Sequence, residues 1–347
     1  MPRWPPPCSS FRDKANRATR GDAALRKTIA IIGAGIAGVT LARRLHDHAD
    51  VTILEKSRGL GGRMAERRRE GFAFDHGAQY FTARDEGFRA EIEKARLAGA
   101  VDLWPQILTQ LPENAGDARP LEPRFIGSPG MPGLVRHMAE GLTIRRETEV
   151  KSLTRSRNGW TLAGQAGELL GEFDLVVSTA PAPQTARLMP VAFSGHAALA
   201  TVRLSGCFTL MLGLDEAHTF PFDMARLNHP VLSTLSVNSS KPQRGAAPCL
   251  VIHSRNDWAD RHMDADREWV TMEMLAALHT LLPRPAETVV WSDLHRWRYA
   301  NVEQPAGVPH LYDRENRLAA CGDWCLANRI EAAYLSAESL ADVLREL

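Results

Sequence analysis

The sequence has no long apolar run and no excess of charge of either sign. Across its 347 residues, 42 Lys and Arg face 41 Asp and Glu, which gives a net charge of +1. Such a balance provides no general attraction for nucleic acid or an anionic membrane. The longest mostly apolar stretch, residues 28–42, contains three glycines and is shorter than the ~18–20 residues of a membrane-spanning helix. We therefore expect a soluble protein without nucleic-acid or membrane partners.

Cysteine is also scarce, and its distribution argues against a disulfide framework or a zinc site. The chain has five cysteines, and only Cys321 and Cys325 lie close together. A zinc site of paired cysteines would need a second such pair. We therefore expect free thiols in the reducing cytoplasm and no bound metal. The G-x-S-x-G, H-E-x-x-H and C-x-x-C patterns are absent as well, which disfavours the hydrolase and metalloprotease chemistries they mark.

Residues 1–27 differ in composition from the rest of the chain. They are rich in proline and basic residues and contain no apolar core of the kind that a signal peptide requires. Three consecutive prolines also disfavour an amphipathic helix. We predict a disordered extension over 1–27.

The first strongly patterned segment predicts a βαβ unit that binds a dinucleotide. Strand-like, helical and strand-like patterns cover residues 28–32, 36–48 and 51–54. Between the first strand and the helix lies Gly33-x-Gly35-x-x-Gly38. In this fingerprint the first glycine permits a tight turn, the second lets the pyrophosphate approach, and the third lets helix and strand pack closely.

Two features then favour FAD over NAD, and both follow a carboxylate that would serve either dinucleotide. Glu55, 17 residues after Gly38, is placed to accept hydrogen bonds from ribose hydroxyls. It is followed by "GLGGRM", a second glycine-rich turn with the cation Arg63, which suits a cofactor with a longer far half. Near the C-terminus, "CGDWC" places Asp323 beside a predicted helix start, within reach of a ribityl chain. The helix N-terminus would face the pyrimidine oxygen that gains charge on reduction.

The remaining patterns predict an antiparallel sheet inserted into the nucleotide-binding fold. Successive strands with little helix between them are typical of such a sheet. The fold class is therefore α/β, α+β overall, with a Rossmann-like FAD-binding domain and an inserted antiparallel-sheet substrate domain. The predicted FAD-binding domain comprises 28–70, 140–185 and 316–347, and the substrate domain comprises 71–139 and 186–315. The predicted elements are a hairpin over 147–164, strands at 173–183, 203–214, 231–237, 249–254, 289–299 and 318–321, and helices over 264–282 and from about Ile330.

Several motifs together resemble the flavin amine oxidase superfamily. They are G-x-G-x-x-G, E-K-x-x-G-x-G-G-R-M, D-x-V-V-x-T-x-P and a terminal G-D-W. More narrowly, "DHGAQYFTARD", "TAPAPQ", "HRWRYA" and "GDWCLANRIEAAYLS" resemble the bacterial renalase-like branch. The resemblance runs from about residue 28 to the C-terminus and is weakest over 186–290. It implies non-covalent FAD, held at positions along the two glycine turns and along segments 77–81 and 331–335: Gly33, Gly35, Ile36, Ala37, Gly38, Glu55, Lys56, Gly62, Arg63, Gly77, Ala78, Gln79, Tyr80, Val150, Gly322, Asp323, Glu331, Ala332 and Ala333.

The resemblance also implies a reaction. Similar proteins oxidise 2- and 6-dihydro isomers of NAD(P) to NAD(P)+ and pass the electrons to O2 as H2O2, a metabolite-repair function. A flavin amine oxidase acting on a small amine and a non-catalytic flavin-binding redox sensor are the alternatives. Because a dihydropyridine loses hydride without prior removal of a proton from the reacting carbon, the absence of an evident general base is compatible with this reaction. The site needs aromatic walls and a few polar groups, for which the candidates are Tyr80, Trp297, Tyr299, Trp324 and Tyr334, with His253 and Asn328.

Two basic segments are candidates for gripping the phosphates of a dinucleotide substrate. Arg67-Arg68-Arg69 is typical of a solvated face. Lys241 and Arg244, in the loop "NSSKPQRG", are the more attractive pair, since a dinucleotide carries two phosphates. No second glycine fingerprint follows downstream, which favours direct contact of one organic substrate with the flavin.

Overall fold

A computed structural model describes residues 26–112, 122–215, 219–245 and 247–346. The predicted extension over 1–27 lies outside these residues, except for Arg26 and Lys27. In chain order the strands are β1 (Thr28–Ile32), β2 (Asp50–Leu54), β3 (Glu66–Arg69), β4 (Phe72–Asp75), β5 (Val101–Leu103), β6 (Leu108–Leu111), β7 (Phe125–Gly127), β8 (Ile144–Arg145), β9 (Ser152–Arg155), β10 (Trp160–Ala163), β11 (Leu169–Phe173), β12 (Leu175–Ser178), β13 (Arg203–Leu214), β14 (Met224–Leu227), β15 (Leu232–Val237), β16 (Cys249–Ser254), β17 (Val289–Gln304), β18 (Leu311–Asp313) and β19 (Leu318–Ala320). The helices are α1 (Ile36–Leu45), α2 (Glu86–Leu97), α3 (Gly133–Met138), α4 (Ala182–Leu188), α5 (His196–Thr201), α6 (Asn256–Arg261), α7 (Arg267–Leu281), α8 (Pro283–Glu287), α9 (Asp323–Leu326) and α10 (Ile330–Leu344).

The predicted βαβ unit forms the centre of a mostly parallel sheet. Its strand order is β18-β19-β12-β1-β2-β8, with parallel pairing throughout except between β18 and β19. The strands β1 and β12 are apolar along nearly their whole length because helices and other segments cover them. Helix α1 packs beside α10, which brings the C-terminal segment back to the nucleotide-binding motif.

The predicted antiparallel sheet is the second major layer. Its strand order is β17-β13-β16-β15-β14-β6, and only the β14–β6 pair is parallel. One face carries leucines and phenylalanines such as Phe208 and Leu210, which pack against Val270 and Met274 of α7 in a hydrophobic core. The opposite face lies against the β3–β4 hairpin, where Phe74 contacts the sheet. This second face also carries the polar residues described below.

The structure confirms most of the predicted elements with corrections at their ends. The strand predicted over 173–183 is reduced to β12, and its last two residues begin α4. Helix α7 begins after Asp266, whose side chain accepts hydrogen bonds from the Glu268 and Trp269 N–H groups, rather than near Asp264. Helix α1 ends at Leu45, three residues before the predicted end, and β17 continues to Gln304. The predicted hairpin gains a third strand, β11. The exact ends of these elements depend on capping and on tertiary pairing, which the hydrophobic periodicity of the sequence does not reveal.

One feature of the packing bears on the predicted division into domains. Helices α2 and α3 belong to the predicted substrate segment 71–139, yet Phe88 and Leu134 lie in the same hydrophobic core as α1 and the parallel sheet. The exact division therefore stays a prediction. Among the described helices, none is long and apolar enough to cross a bilayer.

Candidate functional site

The two glycine-rich turns meet at the carboxyl end of the parallel sheet. Gly35 and Gly61 form an isolated parallel bridge, and the Gly61 N–H donates to the Ala34 carbonyl over 2.9 Å. Gly62 adopts a left-handed conformation, with φ +57°, and a Cβ added there would lie 3.6 Å from Gly35 Cα. The turns predicted separately from the sequence therefore build one cradle.

The three fingerprint glycines are required for different reasons. At Gly33 the backbone has φ +108°, and an added Cβ would lie 2.7 Å from Thr179 Oγ1. At Gly38 the added Cβ would lie 2.0 Å from the Gly33 carbonyl oxygen, so any side chain separates helix from strand. At Gly35 it would meet no described atom within 4 Å. The protein's own packing thus explains the first and third glycines, whereas a Cβ on the second would fill the open cradle where a pyrophosphate would lie.

Glu55 closes one end of this cradle. It is 6 % exposed, its Oε2 accepts from the Ala34 N–H over 2.7 Å, and its Oε1 accepts from the Ser57 N–H over 2.7 Å. Each carboxylate oxygen has a second lone pair and can still accept from a hydroxyl. The position fits a ribose contact, while the neighbouring Lys56 is exposed.

Arg63 and Asp323 join the two segments that favoured FAD. Arg63 Nη2 lies 2.5 Å from Asp323 Oδ1, and Nη1 donates to the Ala300 carbonyl over 3.1 Å. Burial acts to lower the pKa of Arg63, but the charge of Asp323 and its hydrogen bond raise the pKa above its usual value. Gly322 precedes Asp323, which begins helix α9 of four residues. The expected dipole contribution at this helix start is therefore small, because so few peptide units are aligned.

Segment 77–81 lies against the second glycine turn, and segment 331–335 is tied to the residues that follow it. The Ala78 N–H donates to the Arg63 carbonyl over 2.9 Å, and a Cβ on Gly77 would lie 1.9 Å from that oxygen. Buried Glu331 accepts from the Asp85 N–H over 2.7 Å and pairs with Arg329. Glu331 therefore ties α10 to the chain beyond residue 81, which fixes both segments. Val150 and Ala333 are buried in hydrophobic cores, and Ala332 is buried as well.

A group that we term the histidine cluster lies on the polar face of the antiparallel sheet. It consists of His76, His253, His295 and Trp297. Thr209 of β13 pairs in register with His253 on one side and His295 on the other. The His76 ring stacks on Trp297 with centroids 5.4 Å apart and meets His295 edge-on at 4.7 Å. The Trp297 indole N–H donates to the His76 carbonyl over 2.9 Å, which joins the sheet to the segment before Gly77.

The three imidazoles are neutral at pH 7. Burial is the main cause, and it lowers the pKa of His76 to about 3 and those of His253 and His295 to about 4. Nearby positive charge acts in the same direction, from Arg67 on His76 and His295 and from Lys241 on His253. A neutral imidazole has one donor and one acceptor nitrogen, so the cluster offers uncharged hydrogen-bonding groups.

Three buried polar atoms near the cluster have no hydrogen-bond partner among the described residues. They are His76 Nδ1, Thr209 Oγ1 and Ser236 Oγ. Buried polar atoms in proteins are nearly always satisfied. All three lie on the face of the sheet that carries the histidine cluster.

Several predicted substrate-pocket residues have other roles in the structure. Trp324 and Tyr334 are 1 % and 2 % exposed and pack in hydrophobic cores, so they are not pocket walls. Asn328 is exposed, and its side chain bonds the Val302 N–H and Asn301. Tyr299 carries its hydroxyl beside Arg187. The prediction was wrong for Trp324 and Tyr334, because a large aromatic side chain packs in a core as readily as in a pocket wall. The role of Asn328 in the pocket stays a prediction.

The remaining candidates have positions compatible with a pocket. Tyr80 is half-buried, with the Arg124 guanidinium 5.0 Å above its ring. Trp297 and His253 belong to the histidine cluster. His253 Nδ1 lies 3.3 Å from Thr234 Oγ1, so part of its hydrogen-bonding capacity is used within the sheet.

Lys241 and Arg244 do not reach toward a substrate phosphate. Their side chains are 0 % and 1 % exposed, and both bind Asp75 Oδ2, at 3.0 and 2.7 Å. Lys241 Nζ also donates to Gln79 Oε1 over 3.1 Å. The hypothesis of a phosphate grip was wrong because the loop folds inward. These residues instead anchor the segment that begins at Gly77.

His76, His295 and Thr209 were not singled out from the sequence, and Arg67 was considered only as part of a basic run. A signal was present in "WSDLHRW", where alternate residues Trp291, Asp293, His295 and Trp297 share one face of β17. The same strand was recognised, but its polar alternation was not used. The other three residues come from different strands and segments, which only the fold brings together.

Comparisons with known proteins agree with this arrangement. Residues 31–90 match the NAD(P)-binding Rossmann-like domain, and residues 104–345 match the family described as flavin containing amine oxidoreductase. Renalase of Mus musculus is 22 % identical over 300 residues, which cover 79 % of this chain and 85 % of the mouse protein. A 4,4'-diapophytoene desaturase of Staphylococcus aureus is 34 % identical over 87 residues, but these cover 22 % of this chain and 17 % of the desaturase.

Solved structures resemble the whole fold at low sequence identity. A putative protoporphyrinogen oxidase from Exiguobacterium has a TM-score of 0.73 at 14 % identity, covering 92 % of this chain and 99 % of that one. A redesigned putrescine oxidase has a TM-score of 0.67 at 12 % identity, with 92 % and 99 % coverage. At these identities the likeness establishes the α/β fold with its Rossmann-like nucleotide-binding region.

Proposed function

The chain belongs to the flavin containing amine oxidoreductase family, and from this premise we propose that it is an FAD-dependent oxidase of 2- and 6-dihydro isomers of NAD(P). The products would be NAD(P)+ and, with O2 as acceptor, H2O2. The flavin-dependent oxidoreductase class is shown by the family. The substrate class rests on the renalase-like motifs and on the similarity to mouse renalase along most of both chains.

The observation that carries the proposal of FAD is the cradle beneath Gly35. No described atom lies where its Cβ would project, and a second glycine turn borders the same space. FAD would be held non-covalently there, with Glu55 toward ribose and with Arg63 and Asp323 at the far turn. The other proposed contacts are those expected from the sequence along segments 77–81 and 331–335.

Bound FAD would accept a hydride from the substrate and return two electrons to O2. The protein's part is to hold the reacting carbon about 3–3.5 Å from its acceptor, since a well-oriented pair gains most of the available rate advantage. No side chain has to remove a proton from that carbon. The neutral histidine cluster supports this proposal, because its imidazoles can orient a ligand while none is a strong base.

We also propose that the two predicted domains have separate roles. Residues 28–70, 140–185 and 316–347 would bind FAD, and 71–139 and 186–315 would form the substrate side. Helices α2 and α3 of the proposed substrate side share a hydrophobic core with α1 of the proposed FAD-binding side.

The proposed reaction predicts which donors reduce the protein-bound flavin. The purified protein is expected to be yellow, and anaerobic mixing with 2- or 6-dihydro-NAD should bleach its visible absorbance within seconds. A panel of small amines should leave the spectrum unchanged. Ordinary NADH, which is the 4-dihydro isomer, serves as the matched dinucleotide control. Bleaching by amines alone would show an amine oxidase. A flavin that no donor reduces would show a binding or sensing protein.

A further inference from the structure

We propose that the histidine cluster recognises the uncharged carboxamide of a nicotinamide ring, with His295 as the hydrogen-bond donor and Arg67 as the positioning residue that fixes its tautomer. This inference rests on the proposed function and specifies the chemical class of group that the site accepts. The charges around the same site disfavour an ammonium ion.

The tautomer of His295 follows from its contact with Arg67. Arg67 Nη2 lies 3.2 Å from His295 Nδ1. A guanidinium has donors and no acceptor, so Nδ1 must be the accepting nitrogen. His295 is neutral at pH 7 because burial and Arg67 lower its pKa. Its single ring proton is therefore on Nε2, and the ring keeps one N–H donor for another partner.

Arg67 is held in place by a network rather than by His295 alone. It forms an ion pair with Asp293, and the same carboxylate pairs with Arg267 of α7. Asp293 lies two residues before His295 on β17, so both side chains lie on one face of the strand. Because Arg67 comes from β3, the network also joins the hairpin to the sheet beside the cluster.

The surroundings of His295 complement a carboxamide. An amide needs a donor for its carbonyl and acceptors for its NH2 group. His295 supplies the donor, while His76 Nδ1 and Thr209 Oγ1 are buried and lack partners among the described residues. Thr209 is the cross-strand neighbour of His295, and the Trp297 ring centroid lies 4.3 Å from that of His295. An aromatic ring bearing an amide thus finds hydrogen-bonding groups and an apolar side chain together.

The charges around His295 favour a neutral group over a cation. The titratable and charged groups that act on it are Arg67 from β3, Asp293 from its own strand, Arg267 from α7 and His76 from the segment after β4. Two guanidiniums share one carboxylate, and the imidazoles are neutral, so the sum is positive. An ammonium ion placed here would lose water without gaining a carboxylate, which is costly.

Histidine-selective 15N–1H NMR on the flavin-loaded protein tests the tautomer and the ligand. His295→Gln identifies the resonances of residue 295 by their loss. We expect the Nε2–H tautomer at pH 7, shifts of these resonances on titration with nicotinamide, and none on titration with benzylamine. An Nδ1–H tautomer, an imidazolium, or resonances that nicotinamide leaves unmoved would overturn the inference. Nicotinamide binding is measured without turnover, so this result is separate from failure of the proposed reaction.

Arg67→Met should weaken binding of the dihydro substrate more than the reaction itself. We expect KM to rise about tenfold with kcat changed less than threefold, because His295 loses its fixed tautomer while the flavin is untouched. Arg267→Met is the matched control, since it pairs with the same Asp293 but is largely exposed and lacks a contact with His295. Equal effects of the two substitutions would indicate a structural role for the ion pairs and contradict the proposal. Should Arg67→Met fail to fold, Arg67→Lys keeps the charge without the planar donor and tests the same point.

The pH profile gives a second readout of the same residue. Arg67 lowers the pKa of His295, so Arg67→Met should raise that pKa from about 4 toward its ordinary value. The neutral form is needed for recognition and is lost as pH falls through the pKa. The acid limb of kcat/KM should therefore move to higher pH in Arg67→Met, and less far in Arg267→Met, because Arg267 is the weaker of the two charges that act on His295. An unmoved limb in Arg67→Met would overturn the role of His295.

Discussion

Gly35→Val is expected to yield a folded protein that no longer retains flavin. A Cβ at Gly35 meets no described atom within 4 Å, so a side chain can begin there without a clash within the protein. Its backbone conformation, φ −79° and ψ −177°, is one that any residue adopts. The added side chain would instead fill the space where the pyrophosphate approaches the backbone. The visible flavin spectrum after purification should fall to the level of apoprotein, with circular dichroism unchanged.

Gly38→Ala is the matched control, because we expect it to lower the stability of the protein itself. Its Cβ would lie 2.0 Å from the Gly33 carbonyl oxygen, a backbone atom that cannot move aside cheaply. This variant should lose thermal stability even before flavin is considered. If Gly35→Val bound flavin with wild-type affinity, the cradle would not be the dinucleotide site. If Gly35→Val were less stable than wild-type apoprotein, as Gly38→Ala should be, the open space assigned to the ligand would be wrong; the comparison is made on flavin-free proteins, because bound flavin itself adds stability.

The contrast between these glycines shows what the sequence could supply. The fingerprint, the ribose carboxylate Glu55 and the second glycine turn form a local pattern, because the chemistry of phosphate binding requires fixed spacing along the chain. Their convergence in one cradle was predictable from the βαβ unit. The strands of the antiparallel sheet were predictable for a similar reason, since alternation along one strand reflects its two faces.

The substrate side was less predictable because its contacts join distant segments. Arg67 and His295 are 228 residues apart in the sequence, so no local sequence pattern predicts their contact. Trp324 and Tyr334 illustrate the opposite error, since a large aromatic residue satisfies a core as readily as a pocket wall. Lys241 and Arg244 looked like phosphate ligands in the sequence, but their counter-ion, Asp75, lies more than 160 residues earlier.

A buried ion group around Asp75 joins several segments of the substrate side. Asp75 accepts from Lys241, Arg244 and the Met131 N–H, and all three charged side chains are buried. Arg244 also donates to the Gly127 carbonyl over 2.8 Å, and Lys241 lies 4.6 Å from the Trp104 ring centroid. The Asp75 carboxylate therefore fixes both cations of the 241–244 loop directly. It also holds the backbone at Met131, and Arg244 extends the network to the backbone at Gly127. A buried pair of this kind adds little over an apolar core, but removing one partner leaves charge without compensation.

Asp75→Asn is therefore expected to lower the free energy of unfolding by about 3–5 kcal/mol, a large fraction of the roughly 5–15 kcal/mol of a typical domain. Urea denaturation at pH 7 measures this loss. Asp264→Asn is the control, because its pair with Arg298 is exposed and should contribute less than about 1 kcal/mol. If Asp75→Asn is too unstable to purify, adding Lys241→Met removes one stranded cation and should restore part of the stability. An Asp75→Asn loss no larger than that of Asp264→Asn would contradict the assignment.

The pH dependence of stability provides an independent check on the same group. Burial acts to raise the pKa of Asp75, but Lys241, Arg244 and the hydrogen bonds outweigh it and lower the pKa below its ordinary value. A carboxylate with a depressed pKa in the folded state contributes stability above its unfolded pKa, near 3.9, and loses that stability as pH falls through the folded value. Wild-type protein should therefore lose stability relative to Asp75→Asn below about pH 4, so that the two unfolding curves converge in acid. Curves that stay parallel down to pH 2 would show that Asp75 is not the anion that holds Lys241 and Arg244.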